Sequence, residues 1–168
     1  MDLVFSSGFL AFARHCGFLA GVFSMDKVLV RLREWLPPRF EDLDRSFGVG
    51  VLRTDGGGEL VTSGSLPEAV AASCAVPDLF AKVPVDGRRL GDGGAVDRLF
   101  LEEWRTLRGL DAPPLVHLVD RSAGAPTDVP ADVAVVRTPR SGAKFWNLGD
   151  FAGQLEEARR RTADVLGG

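Results

Sequence analysis

At 168 residues, 45% of them apolar, the chain is long enough for one domain with a sizeable core and too apolar to stay disordered. A formal charge of −3 leaves no basic excess to neutralise phosphates, which argues against a nucleic-acid partner. Its two cysteines and two histidines have no ligand-spaced partners, so neither a disulfide framework nor a zinc site is expected, and no apolar run is long enough to span a membrane.

Asp2 to Phe5 predicts a short buried strand that enters a tight turn at Ser6-Ser7-Gly8. Phe9 to Leu19 has helical spacing with apolar residues on both sides, which predicts a helix covered on most faces. Ser24 is placed to cap a second helix, with Val28, Leu29, Leu32, Trp35 and Leu36 as its inner stripe and Pro37-Pro38 as its stop. Phe47 to Thr54 and Glu59 to Ser63 read as a strand pair across Gly56-Gly57-Gly58.

Pro67 opens an alanine-rich helix that runs to Cys74, and both Cys16 and Cys74 are expected to be buried thiols. Lys82 to Val85 and Arg88 to Leu90 flank Asp86-Gly87, a strong hairpin signal. Asp97 to Leu107 predicts a helix, and Leu115 to Val119 and Val133 to Val136 predict short apolar strands. The last helix, from about Leu148, is expected to bury Phe151, Leu155, Ala158, Thr162 and Val165. Its basic run, Arg159 to Arg161, is expected near a helix C-terminus, where it complements the dipole. Alternating strands and helices without a linker or repeat argue for a single α/β layered domain over 1–168. Its sheet is expected to include residues 2–6, 47–54, 115–119 and 133–136.

Gly91-Asp92-Gly93-Gly94 is the first candidate for chemistry. Taken alone, it reads as a plain turn, because Asp and Gly are the commonest turn residues. Its context is more specific. Ala71-Ala72-Ser73-Cys74-Ala75-Val76-Pro77-Asp78-Leu79-Phe80, Val83-Pro84-Val85-Asp86-Gly87 and Gly91-Asp92-Gly93-Gly94-Ala95-Val96-Asp97 follow one another in order. Together they resemble the patatin family, in which an alanine- and serine-rich helix, a proline turn and a hairpin lead to a D-G-G or D-G-A motif. Leu36-Pro37-Pro38-Arg39-Phe40-Glu41-Asp42-Leu43, Ser63-Gly64-Ser65-Leu66 and the start of the chain also resemble family segments.

The resemblance implies a layered α/β/α fold and hydrolysis of lipid acyl esters by a Ser–Asp dyad, with no cofactor or metal. The Asp acts as the base that a His supplies in a triad. Matched residue by residue, Asp92 takes the place of the catalytic Asp, and Asp92, Gly93 and Gly94 form the D-G-G motif. Ser7, Gly8 and Phe9 fall on the oxyanion loop, whose backbone N–H groups face the developing charge. The implied partner is a lipid or acyl-ester substrate, with room for peripheral membrane contact. With no signal peptide read, an intracellular soluble location is expected.

Two departures bear on activity. The loop keeps only Gly8 as a glycine, and Phe9 adopts positive φ less cheaply. No G-x-S-x-G exists: Gly17-Phe18-Leu19-Ala20-Gly21 has Leu at the serine position, and prolines follow Asp120-Arg121-Ser122-Ala123-Gly124, against the helix an elbow requires. Phe18-Leu19 runs almost directly into Val22-Phe23-Ser24, as though the nucleophile segment were deleted near 19–22. The expectation is a patatin-like domain, incomplete and inactive as written. The alternatives are a catalytically dead module that binds lipid or protein, and a truncated fragment without function.

Overall fold

The computed structural model describes residues 3–5, 23–109, 114–120, 127–139 and 149–167, which form a mixed α/β structure. Two compact units emerge, one from residues 1–11 and 109–168 and the other from residues 12–108.

The first unit holds a three-stranded parallel sheet. Strand β1 (Leu3–Phe5) and strand β7 (Ala134–Thr138) flank strand β6 (Leu115–Val119), in the order β1-β6-β7. β6 reads Leu-Val-His-Leu-Val, and its Leu115, Val116 and Leu118 are buried, as expected for a central parallel strand. Helix α4 (Phe151–Leu166) lies along β7. The Asp150 carboxylate opens it by accepting the Gly153 N–H at 2.9 Å. Arg161 fastens it to the sheet by donating to the Arg137 carbonyl at 2.9 Å.

The second unit is built on a four-stranded antiparallel sheet in the order β3-β2-β5-β4: Gly58–Val61, Val49–Leu52, Arg88–Asp92 and Val83–Val85. Both expected hairpins form. β2 and β3 pair around the glycine turn, with Leu52 opposite Gly58, and β4 and β5 pair around Asp86-Gly87, with Val85 opposite Arg88. Asp86 at φ 46° and Gly87 at φ 80° put both central residues of that turn in the left-handed region, which matches the twist of the flanking strands.

Helix α2 (Leu66–Ser73) covers this sheet. Ala69, Ala71 and Ala72 are fully buried, and their small side chains let the helix settle close to β2, β4 and β5. Helix α1 (Asp26–Trp35) packs on α2 through Leu29 and Leu32, and Leu36 just beyond its end joins them against the core. The Ser24 hydroxyl accepts the Asp26 N–H at 3.0 Å at its start. Helix α3 (Leu101–Arg108) is the last element of the unit, and Leu101 is its buried residue.

Several expectations need correction. Residues 47–54 do not join the sheet of 2–6, 115–119 and 133–136. β2 finds its partners in two local hairpins, and its alternating burial carries no information about which sheet it enters. Val28 and Trp35 are exposed, Trp35 by 73%, because α1 touches the core along a narrower stripe than its apolar residues suggest. Leu155 and Val165 of α4 are exposed for the same reason, while Ala158 and Thr162 are half-buried. Cys74 is exposed: α2 ends at Ser73, which leaves Cys74 at the cap and turns the buried position over to Ala75.

Helix α3 starts four residues later than Asp97. The Asp97 carboxylate accepts the Leu99 N–H at 2.8 Å, and Phe100 has φ 48°, so the chain turns before it coils. Arg160 and Arg161 lie more than a turn before the end of α4 and pair with Glu157 rather than with terminal carbonyls. The helix expected over 9–19 lies outside the described residues.

Candidate active site

The Asp92 turn is assembled entirely within the second unit. β5 ends at Asp92, opposite Val51 of β2, and the Asp92 N–H donates to the Ala75 carbonyl at 3.1 Å. That bond joins the end of the strand to the segment that leaves α2. The chain then folds into one turn of 3-10 helix, Gly93–Ala95. The Asp92 Oδ1 atom accepts the Gly94 N–H at 2.8 Å, and the Val96 and Asp97 amides close back on the Gly93 carbonyl at 2.9 and 3.0 Å. Asp92 is only 8% exposed.

The glycine after Asp92 has a steric reason. A Cβ on Gly93 would lie 2.5 Å from the carbonyl carbon and oxygen of Gly50 and 2.6 Å from the Val51 nitrogen. Backbone meets backbone there, and only glycine fits. The motif therefore has a structural role whether or not Asp92 takes part in chemistry: the carboxylate caps the turn, and Gly93 lets the turn lie against β2.

Cys74 stands at the same place. Although Cys74 as a residue keeps open surface, partial desolvation of its thiol raises its pKa, the Ser73 hydroxyl works in the opposite direction, and the Asp92 charge raises it further. A raised pKa lowers the thiolate fraction, the form that acts as a nucleophile. Ser73 is committed within α2, its hydroxyl donating to the Val70 carbonyl at 3.1 Å. The Ser65 hydroxyl donates to Asp86 at 2.7 Å.

Asp92, Gly93 and Gly94 are thus brought together at the end of β5. Ser7, Gly8 and Phe9, the expected oxyanion loop, lie outside the described residues, as do Ser122 and the Gly17–Gly21 stretch. Among the described residues, no three His, Cys, Asp or Glu side chains are grouped so that they could hold a metal ion. His117 of β6, which carried no expectation, has its Nε2 atom 3.0 Å from the Thr138 hydroxyl, and burial lowers its pKa.

No helix among the described residues is long and apolar enough to cross a membrane. No protein-family model matches the chain, and no curated protein matches it.

Sequence reasoning missed a second grouping. Arg45, Ser46 and Phe47 meet Leu107 and Arg108 in an open cleft. The two stretches lie about 60 residues apart in sequence, and no local signal links them.

Proposed function

We propose that this chain is a patatin-like lipid acyl hydrolase that retains the family's base segment, Asp92, but lacks the serine-nucleophile segment, and that as written it does not turn over acyl esters by a serine mechanism. The observation that carries this reading is the ordered run from Ala71 to Asp97, which ends in Gly91-Asp92-Gly93-Gly94. Supporting it, the run folds as a helix, a hairpin and a tight turn that carries a nearly buried carboxylate. The layered α/β/α architecture, the oxyanion role of Ser7, Gly8 and Phe9, and the lipid or acyl-ester substrate all belong to the same proposal.

The inactivity follows from chemistry. A carboxylate base needs a hydroxyl within about 2.6–3.2 Å to activate. Ser73 and Ser65, near in sequence or fold, are engaged elsewhere: Ser73 donates to the Val70 carbonyl, and Ser65, which opens α2 after β3, donates to Asp86 and not to Asp92. Without a covalent step, direct activation of water by Asp92 gives at most weak turnover.

The test uses a fluorophosphonate probe and, separately, a short-chain chromogenic ester. Absence of stoichiometric labelling and of turnover is the expected result. Labelling of a single serine, together with turnover abolished by Asp92→Asn, would overturn the inactivity. Restoring a G-x-S-x-G segment between Leu19 and Val22 should restore labelling that depends on Asp92, and failure to do so would count against the family assignment.

A further inference from the structure

Three Asp-Gly pairs occur in the sequence: Asp55-Gly56, Asp86-Gly87 and Asp92-Gly93. In such a pair the glycine nitrogen can attack the side-chain carboxyl, because no Cβ shields it. A bond forms between that nitrogen and Cγ, and the carboxyl hydroxyl leaves with the amide proton as water. Water then opens the five-membered imide at either carbonyl. Opening at the main-chain carbonyl leaves the chain running through Cγ, an isoaspartate with one extra backbone atom. The neutral carboxyl is the reactive form, since a carboxylate has no hydroxyl to lose.

The turn between β2 and β3 is arranged for this attack. The Asp55 Oδ1 atom accepts the Gly57 N–H at 2.9 Å. A side chain that reaches the nitrogen two residues on passes beside the nitrogen between, so the carboxyl is held close to Gly56. The Gly56 N–H has only a long bond to give up, 3.3 Å to the Arg53 carbonyl. The Asp55 side chain is 63% exposed, which admits water to the imide. A Cβ at Gly56 would meet nothing within 4 Å, so an added backbone atom has room. Arg53 opposes the reaction: its Nη2 atom donates to Oδ2 at 3.0 Å, and its hydrogen bond, ahead of that from Gly57, lowers the Asp55 pKa and keeps the carboxyl ionised.

The other two pairs each lack one of these conditions. Asp86 is exposed, but both its oxygens are bound to Ser65 at the start of α2, and turning the carboxyl onto Gly87 breaks two bonds to another element. Asp92 reaches the Gly94 N–H as Asp55 reaches Gly57, but it is buried, and the Gly50 and Val51 backbone against Gly93 leaves no space for a longer chain.

We propose that the Asp55-Gly56 turn is a site of spontaneous isoaspartate formation, and that the fold protects Asp86 and Asp92 from the same reaction. The site stands independently of the role assigned to Asp92.

The experiment ages the folded full chain at neutral pH and physiological temperature, with a parallel sample in concentrated guanidinium chloride. Electron-transfer fragmentation of the digested chain reads isoaspartate separately at each position. In the folded chain, Asp55 should convert about fivefold or more faster than Asp86 or Asp92. In denaturant the three rates should converge, because the dipeptide is the same. Arg53→Gln raises the neutral fraction of Asp55 and should speed its conversion about threefold or more. Low rates at Asp86 and Asp92 in that variant report that its fold is intact. The proposal fails if Asp55 stays unconverted in the folded chain, if Asp86 or Asp92 converts as fast, or if the folded order persists in denaturant. An unchanged or slower rate in Arg53→Gln would overturn the opposing role of Arg53.

Discussion

The ring of Phe100 lies directly over Gly50: a Cβ at Gly50 would come within 2.3 Å of Phe100 Cδ2 and 2.4 Å of its Cε2. The other edge of the ring meets Gly58 on the neighbouring strand, where a Cβ would lie 2.9 Å from Cε1. Two glycines on paired strands thus form a slot for one aromatic side chain, and Phe100, 3% exposed, fills it at the expense of an unfavourable φ of 48°.

The slot predicts strong coupling. Phe100→Ala should destabilise the chain by about 3–5 kcal/mol, the usual range for an aromatic core deletion. Gly50→Ala alone should cost about 1–3 kcal/mol through overpacking. In the Phe100→Ala background the added methyl has room, so Gly50→Ala should be close to neutral. A double-mutant cycle from urea unfolding measures this. Additive losses would show that the ring is not what Gly50 accommodates.

Gly93 presents the harsher case, since its neighbours are backbone atoms of Gly50 and Val51 that no rotamer change can move. Gly93→Ala should therefore cost more than Gly56→Ala. At Gly56 nothing lies within 4 Å and only the positive φ of 88° opposes a side chain, a cost on the order of 1 kcal/mol. Comparison of the two unfolding midpoints tests the order. Equal costs would mean that β2 can shift to admit the methyl.

Asp92 can be dissected by its two replacements. Asp92→Ala removes the acceptor for the Gly94 N–H and should cost about 1 kcal/mol, as for loss of a helix cap. Asp92→Asn keeps an oxygen in that position and should cost less. If both destabilise equally, the negative charge rather than the hydrogen bond holds the turn. That result would also weaken the use of Asp92→Asn as a purely chemical probe.

The hairpin tip should be sensitive to acid. Asp86 accepts the Ser65 hydroxyl at 2.7 Å and the Ser65 N–H at 3.1 Å, and these two bonds, the hydroxyl's first, hold its pKa below the ordinary carboxylate value. A carboxylate whose folded pKa is depressed contributes stability that is fully present above its unfolded pKa of about 3.9 and is lost as pH falls through the folded value. Stability should therefore decline below about pH 4, and the decline should be shallower in Asp86→Asn. Parallel acid profiles for the two proteins would assign the loss to other carboxylates.

The sequence disclosed local structure better than assembly. The Asp86-Gly87 turn was legible because a two-residue loop with both φ values positive demands those residue types. The alanine-rich helix was legible because Pro67 and the small side chains mark its start and its close packing. Sheet membership was not: β2 alternates as any half-buried strand does, and its neighbours are chosen by connection length. Nor was the width of the buried stripe on α1, since Trp35 has the right spacing but nothing above it. At the candidate site, the D-G-G motif was visible in the sequence, while the demand on Gly93 comes from a strand some 40 residues earlier.

The two borders of the antiparallel sheet differ in what they offer a passing chain. β4 is three residues long, and its middle residue, Pro84, has no N–H to offer a partner. β3, at the opposite border, reads Gly-Glu-Leu-Val and contains no proline. Only Glu59, held by Arg88 at 2.8 Å, places a charge along it. Strand addition to this sheet would therefore meet less hindrance at the β3 border, and a lysine or proline introduced at Leu60 would close it.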